Sequence, residues 1–203
     1  MPSSFKLNQS SAAFILVSLF ALTSAASADD FTIDSAVTTE NGGNTLDGSD
    51  SINVTSTGSI TVTTTAGIST TGGTNKVTVS GTVSTTRPNM NAILNVGNNN
   101  KTTVFGDAKI IASKKAGIED RGDNNVTTLS GNASIEITAA AGNGVGIDSN
   151  GNSNTITLSD NEKITTAGTN AGIGIQLSGA TGNNIVRMSR NTEISTTGPS
   201  SDG

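Results

Sequence analysis

Cysteine, histidine, tryptophan and tyrosine are all missing from this chain of 203 residues. Without cysteine it can build neither a disulfide framework nor a thiolate metal site. Without histidine it lacks the commonest general base and metal ligand, and no serine can be activated by an imidazole. Only 2% of the residues are aromatic and 13% charged, too few large apolar side chains for an ordinary compact core. The formal net charge of −5 is mildly acidic, which argues against a nucleic-acid partner. What is abundant is threonine, serine, asparagine and glycine, punctuated by valine and isoleucine. Low hydrophobicity alone would suit disorder. Weak self-repulsion and good strand formers suit a repeat fold with a narrow core instead.

Residues 1–28 have the pattern of a secretory signal. Lys6 is the basic n-region, Ala12–Leu22 is an apolar run, and Ala26-Ser27-Ala28 is a small-residue cleavage motif. Cleavage is expected between Ala28 and Asp29. The apolar run is shorter than the ~20 residues needed to span a bilayer. Loss of Lys6 leaves 10 basic and 16 acidic residues, net −6. Residues 29–49 form a lead-in. Its FTIDSAVTT alternates like a strand and its Asn41-Gly42-Gly43-Asn44 reads as a turn that caps the fold's N-terminal end.

From position 50 the chain repeats. Val54, Val79, Val104, Leu129, Leu158 and Met188 recur at spacings of 25, 25, 25, 29 and 30. Two residues before each stand Ile52, Val77, Thr102, Thr127, Ile156 and Val186, on the same face by strand alternation. Four residues before each stand Asp50, Asn75, Asn100, Asn125, Asn154 and Asn184. Asparagine there suits a left-handed bend and can bond its neighbour in a ladder. A second apolar column holds Ile60, Ile110, Ile135, Ile164 and Ile194, with Val83 taking over where Thr85 breaks it. A third holds Ile68, Ile93, Ile118, Ile147 and Ile175, each after Gly or Ala. The extra residues of the later units (AAAGNGVG and AGTNAGIG) fall just before the third column, where a loop could bulge.

Three short strands and three turns per unit close a triangular coil. The expected fold is therefore all-β: a right-handed parallel β-helix, three-sided, of about 5–6 coils of 25–30 residues over positions 50–203. A β-sandwich would not require one residue type to recur at each unit. The last coil has only two of its three strands, and a third-column residue is expected near position 205. That predicts a truncated product, since an open parallel edge invites aggregation.

The units GDNNVTTLSGNASIEIT, GNSNTITLSDNEKITT and GNNIVRMSRNTEISTT resemble the passenger repeats of bacterial autotransporters, the type V secretion family. The resemblance implies a Gram-negative source, export, and display at the cell surface through an outer-membrane barrel. Its implied partners are the export machinery, that barrel, and host or cell-surface ligands. The sequence departs from the family in having no amphipathic, aromatic-girdled strands of a translocator.

Candidate sites are few. Arg121-Gly122-Asp123 spells an integrin-type recognition tripeptide at a turn between coils, a place where Gly and Asp are common anyway. Gly142–Asp148, GNGVGID, faintly matches a calcium-binding glycine repeat but occurs once, and calcium needs several oxygens from adjacent turns. The carboxylates, among them Asp107, Glu119, Asp120, Glu136, Asp148 and Glu162, form no evident column. Glycoside cleavage needs a pair at fixed separation. Glu136 should point outward, and Glu119-Asp120 reads as a solvated turn. Lys114-Lys115 and Arg187/Arg190 read as solvated charge, and the N-x-[ST] matches at Asn100, Asn125 and Asn132 follow from composition. Phe105 is the one aromatic within the coils. No enzyme activity, cofactor or metal is expected. The function expected is an exported structural or adhesive stalk. The alternatives are a secreted carbohydrate-binding or carbohydrate-cleaving β-helix, or an inactive fragment.

Overall fold

A computed structural model describes residues 27–113, 115–138, 143–167, 171–179, 182–189 and 191–197. The signal pattern up to residue 26, Lys114, Arg190, part of each insertion and the final residues lie outside them.

The described chain is a β-solenoid of about six turns whose strands are all parallel and fall into three sheets. The first sheet runs β1 (Asp30–Ile33), β3 (Ser51–Val54), β6 (Lys76–Val79), β9 (Lys101–Val104), β12 (Val126–Gly131), β15 (Thr155–Asp160) and β18 (Ile185–Met188). The second runs β2 (Ala36–Val37), β4 (Ser59–Val62), β7 (Thr82–Thr85), β10 (Lys109–Ala112), β13 (Ser134–Ile137), β16 (Lys163–Ala167) and β19 (Glu193–Thr197). The third runs β5 (Ile68–Thr70), β8 (Ile93–Val96), β11 (Ala116–Arg121), β14 (Asn143–Asn150) and β17 (Ala171–Ser178).

Every apolar column of the sequence is a column of register partners. Val54, Val79, Val104, Leu129, Leu158 and Met188 pair in turn. So do Ile60, Val83, Ile110, Ile135, Ile164 and Ile194. Ile68, Ile93, Ile118, Ile147 and Ile175 make the third. Together they bury one continuous narrow core, which no single coil could form alone. Met188 is the exception. At 51% exposure it packs on Leu158 from one side only, because β18 is an edge strand of its sheet among the described residues.

Two expectations about turns are corrected. The left-handed residues are not the column of Asp50 and the asparagines but those just before them: Ser49, Thr74, Asn99, Asn124, Ser153 and Asn183, with φ between 57° and 67°. That leaves the column itself free to turn inward. And the insertions do not simply bulge. Part of each lengthens the third strands, so that Asn143, Gly144 and Val145 pair with Ala171, Gly172 and Ile173.

The asparagine column is a hydrogen-bond ladder. The backbone N–H groups of Asp50, Asn75, Asn100, Asn125 and Asn154 each donate to the Oδ1 of the next coil's asparagine, at 3.2, 2.9, 2.8, 2.7 and 2.8 Å. The side-chain Nδ2 of Asn100 donates to the Gly97 carbonyl and that of Asn125 to the Gly122 carbonyl, each at 3.0 Å. Members from Asp50 to Asn154 are buried, and Asn184 is half-buried. The buried corner amides of Asn100 and Asn125 thus obtain partners that the strands cannot supply, whereas the Asn154 Nδ2 is buried without one among the described residues.

The ladder's first member is an aspartate for a physical reason. Asp50 Oδ1 accepts from the Asp29 backbone N–H at 2.9 Å, and Oδ2 accepts from those of Asp47 at 2.8 Å and Gly48 at 3.4 Å. An acceptor-only side chain fits where only donors converge. Burial opposes the charge, but the backbone bonds from Asp29, Asp47 and Gly48 outweigh it and hold this carboxyl below its usual value.

The lead-in is itself a coil. Ile33 pairs with Val54 and Val37 with Ile60. Where a third strand would come, a 3-10 turn (Glu40–Gly43) covers β5 instead. Asn41 Oδ1 accepts from the Ser69 backbone N–H at 2.8 Å, and its Nδ2 donates to the Ser69 carbonyl at 2.9 Å. The side-chain amide thereby takes the place of the missing strand and closes an edge that would otherwise template further pairing.

Candidate functional site

Alternation along β11 places Ile118 and Asp120 toward the lumen and Glu119 and Arg121 toward the outside. Both acids are buried, which overturns the expectation of a solvated turn. Asp120 follows Ile118 by two residues, so the same period that built the third column carries a polar one beside it: Thr70, Asn95, Asp120 and Ser149 are consecutive register partners and all buried. Asn95 Nδ2 donates to Asp120 Oδ1 at 2.7 Å and to Thr102 Oγ1 at 2.8 Å, and Thr127 Oγ1 donates to Asp120 Oδ2 at 2.6 Å. Burial raises the pKa of Asp120, and the bonds from Thr127 and Asn95 offset only part of that. This is a polar seam inside the solenoid, with no route for a substrate implied by it.

Glu119 is buried from outside by its own partners. Its Oε1 meets Arg121 Nε at 2.6 Å; its Oε2 meets Asn91 Nδ2 at 2.6 Å and Lys115 Nζ at 2.8 Å. Burial pushes its pKa up, but Arg121, Lys115 and Asn91 together bring it below the usual value. Asp148 is its register partner on the next coil, so two carboxylates do share a column, contrary to the sequence reading. Burial raises Asp148, and the Glu119 charge raises it further. Its Oδ1 is buried and finds no hydrogen-bond partner among the described residues. The pair has opposite shifts, the usual signature of acid and base. Yet Glu119 is saturated by three donors and closed to solvent, so the arrangement is that of a structural ion cluster.

The Arg121-Gly122-Asp123 tripeptide is woven into the corner between β11 and β12. Arg121 is held by Glu119. Gly122, with φ of 131°, belongs to a glycine stack in which each backbone lies on the last. A Cβ on it would sit 2.4 Å from the Gly97 carbonyl oxygen. The Asp123 N–H donates to Asn98 Oδ1 at 2.8 Å, and Asp123 Oδ1 accepts from the Asn152 N–H at 2.7 Å. All three residues have a role in coil stacking, leaving Arg121 half-exposed.

Of the glycine-rich Gly142–Asp148 segment, residues 143–148 are strand, and no cluster of three potential metal ligands occurs among the described residues. Glu136 is exposed, between buried Ile135 and Ile137. A cavity of about 440 Å³ lies beside the lead-in, lined by Thr39, Glu40, Asn44, Leu46, Ser69 and Thr71 among others. It is open and has no orphaned buried group aimed into it. No protein family, no curated protein and no solved structure matches the chain.

The outer face of the first sheet is the feature that sequence reasoning missed. Outward positions from β3 to β18 are Ser51 and Asn53, Lys76 and Thr78, Lys101 and Thr103, Val126 and Thr128, Thr155 and Thr157, Ile185 and Arg187. They contain three cations and no carboxylate. The signal was available in each KVTV-like strand, but charge segregation shows only once the three sheets are separated.

Proposed function

We propose that this chain is the exported structural part of a surface stalk: a rigid β-solenoid that spaces and displays, or itself adheres. The observation that carries the reading is the unbroken register of the columns through seven stacked strands in two of the sheets. Six inter-strand spacings of ~4.8 Å make a rod roughly 29 Å long. Its hydrogen bonds run along the axis, so tension is shared by whole sheets. The signal pattern ending at Ala28 and the resemblance of the repeats to autotransporter passengers support export to the surface of a Gram-negative cell. In that reading the outer-membrane barrel belongs to a longer product or a separate protein.

The test is expression of the full chain in a Gram-negative host, followed by fractionation and mass analysis of the N-terminus. The expected result is a periplasmic or surface-associated chain beginning at Asp29. An uncleaved chain retained in the cytoplasm would sink the proposal.

A further inference from the structure

The protein is net acidic, −5 over the whole chain, yet the outer face of its first sheet is cationic. Lys76 and Lys101 are exposed and are direct register partners, so two ammonium groups are stacked on adjacent coils. Like charges in that relation repel, and neither forms an ion pair within the described residues. Arg187 adds a third cation on the same face. Most carboxylates of the coils are elsewhere: Glu136 and Glu193 are on the second sheet, Glu119 and Asp148 on the third, and Asp107 and Asp123 at corners. Asp160 ends β15 of the first sheet, where its Oδ2 accepts from the Gly131 N–H at 3.4 Å at the corner. On the first sheet Asp30 marks the N-terminal edge, where it accepts a hydrogen bond from Ser51.

Two further features share this face. Thr78, Thr103, Thr128 and Thr157 are consecutive register partners, a straight row of hydroxyls at one per coil. Phe105 extends β9 by one residue, its N–H bonded to the Val79 carbonyl at 2.9 Å. Alternation puts it on the same side as Lys101 and Thr103, and it is 40% exposed. An apolar ring left in water on a polar face that also carries unpaired cations marks a contact surface.

We infer that this face binds a linear anionic polysaccharide, a polyuronate, lying along the solenoid axis. The lysines meet its carboxylates as point charges. The threonine row meets sugar hydroxyls, and Phe105 packs against a sugar's C–H face. An extended polymer fits because the stacked lysines and the hydroxyl row run along the rod, with Arg187 at the far end of that row, and several weak contacts then add. The inference deepens the adhesive half of the stalk reading by naming a ligand class. It does not depend on export, because binding is measured on purified protein.

The probe is polygalacturonate, with neutral dextran and single-stranded DNA as comparisons, in retardation electrophoresis and titration of the full chain. Polygalacturonate should bind, dextran should not, and binding should weaken at least tenfold between ~0.05 M and ~0.5 M salt. The Lys76→Glu/Lys101→Glu pair should lose roughly tenfold or more in affinity. Phe105→Ala should lose several-fold with an unchanged salt slope. Lys163→Glu, on the second sheet, is the control and should bind as the parent does. Circular dichroism confirms that each variant is folded, and Lys76→Gln/Lys101→Gln substitutes if the reversal is not. No binding of polygalacturonate overturns the inference. So does equal or tighter binding of DNA, or insensitivity to both the lysine and the Phe105 changes.

Discussion

The polar ladder at the first corner supports a reciprocal experiment. Asn125 and Asp50 stand in the same column and differ by one atom type. Asn125 Oδ1 accepts from the buried Asn100 N–H at 2.8 Å, while its Nδ2 donates to the Gly122 carbonyl at 3.0 Å. In Asn125→Asp the first bond survives, but a carboxylate oxygen replaces the donor and faces a carbonyl oxygen. The loss is that of one hydrogen bond plus the burial of a charge without a partner, about 2–4 kcal/mol at neutral pH. Protonation restores a donor toward Gly122. The new carboxyl's folded pKa is therefore raised, and the variant should regain stability as pH falls through it. Asp50→Asn is the opposite case. Its amide would present hydrogens to the N–H groups of Asp47 and Gly48, which now donate to the carboxylate. A loss of about 1–3 kcal/mol follows, with no recovery in acid. Parent Asp50, whose folded pKa is lowered, contributes stability that is full above the ordinary carboxyl value of 3.8 and is lost as pH falls below it. Asp50→Asn removes that acid-labile contribution. The assay is urea unfolding followed by circular dichroism across pH, with m compared between variants to check that cooperativity is kept. If Asn125→Asp matches the parent at neutral pH and gains nothing on acidification, the donor role assigned to the ladder amides is wrong.

Asn41→Ala should uncover Ser69, costing about 1–3 kcal/mol locally; amide exchange at Ser69 should accelerate, light scattering should show head-end association, and unchanged exchange would refute the cap. Asp120, its pKa raised by burial, lowers stability as pH rises from 3.8 through its folded value. Asp120→Asn should flatten that slope and be neutral or stabilising at pH ~7, read from unfolding midpoints at several pH values. Gly122→Ala should cost about 3 kcal/mol or more, from the forbidden φ and the carbonyl beneath it, and thermal unfolding will show whether the corner tolerates a side chain.

Much of the architecture could be read before any coordinates. Strand alternation and a repeat near 25 residues are local properties of a chain. A closed coil converts them directly into facing columns, and the spacings of Val54 to Leu158 and of Ile68 to Ile147 reappear as strand register. Asp120 is legible by the same rule, two residues after Ile118, although a charge in that position reads as solvated until its buried partners Asn95 and Thr127 are in view. Glu119 was not legible: its burial depends on Asn91 reaching over it from the preceding coil, with Lys115 closing in from four residues back on its own coil.

The sequence by itself determined the period, the three strands of each coil and the inward apolar columns, because each depends only on spacing along the chain. The tertiary structure alone decided where the polar groups find partners. The ladder asparagines turn inward because their predecessors take the left-handed conformation. The Asn41 amide closes a sheet edge from a turn 28 residues away from Ser69. Lys76 and Lys101 stack on one face because coils of different sequence bring their outward positions into line. Those outcomes depend on the distance between coils and on which hydrogen-bonding groups remain unpaired after stacking, and neither is a property of one segment.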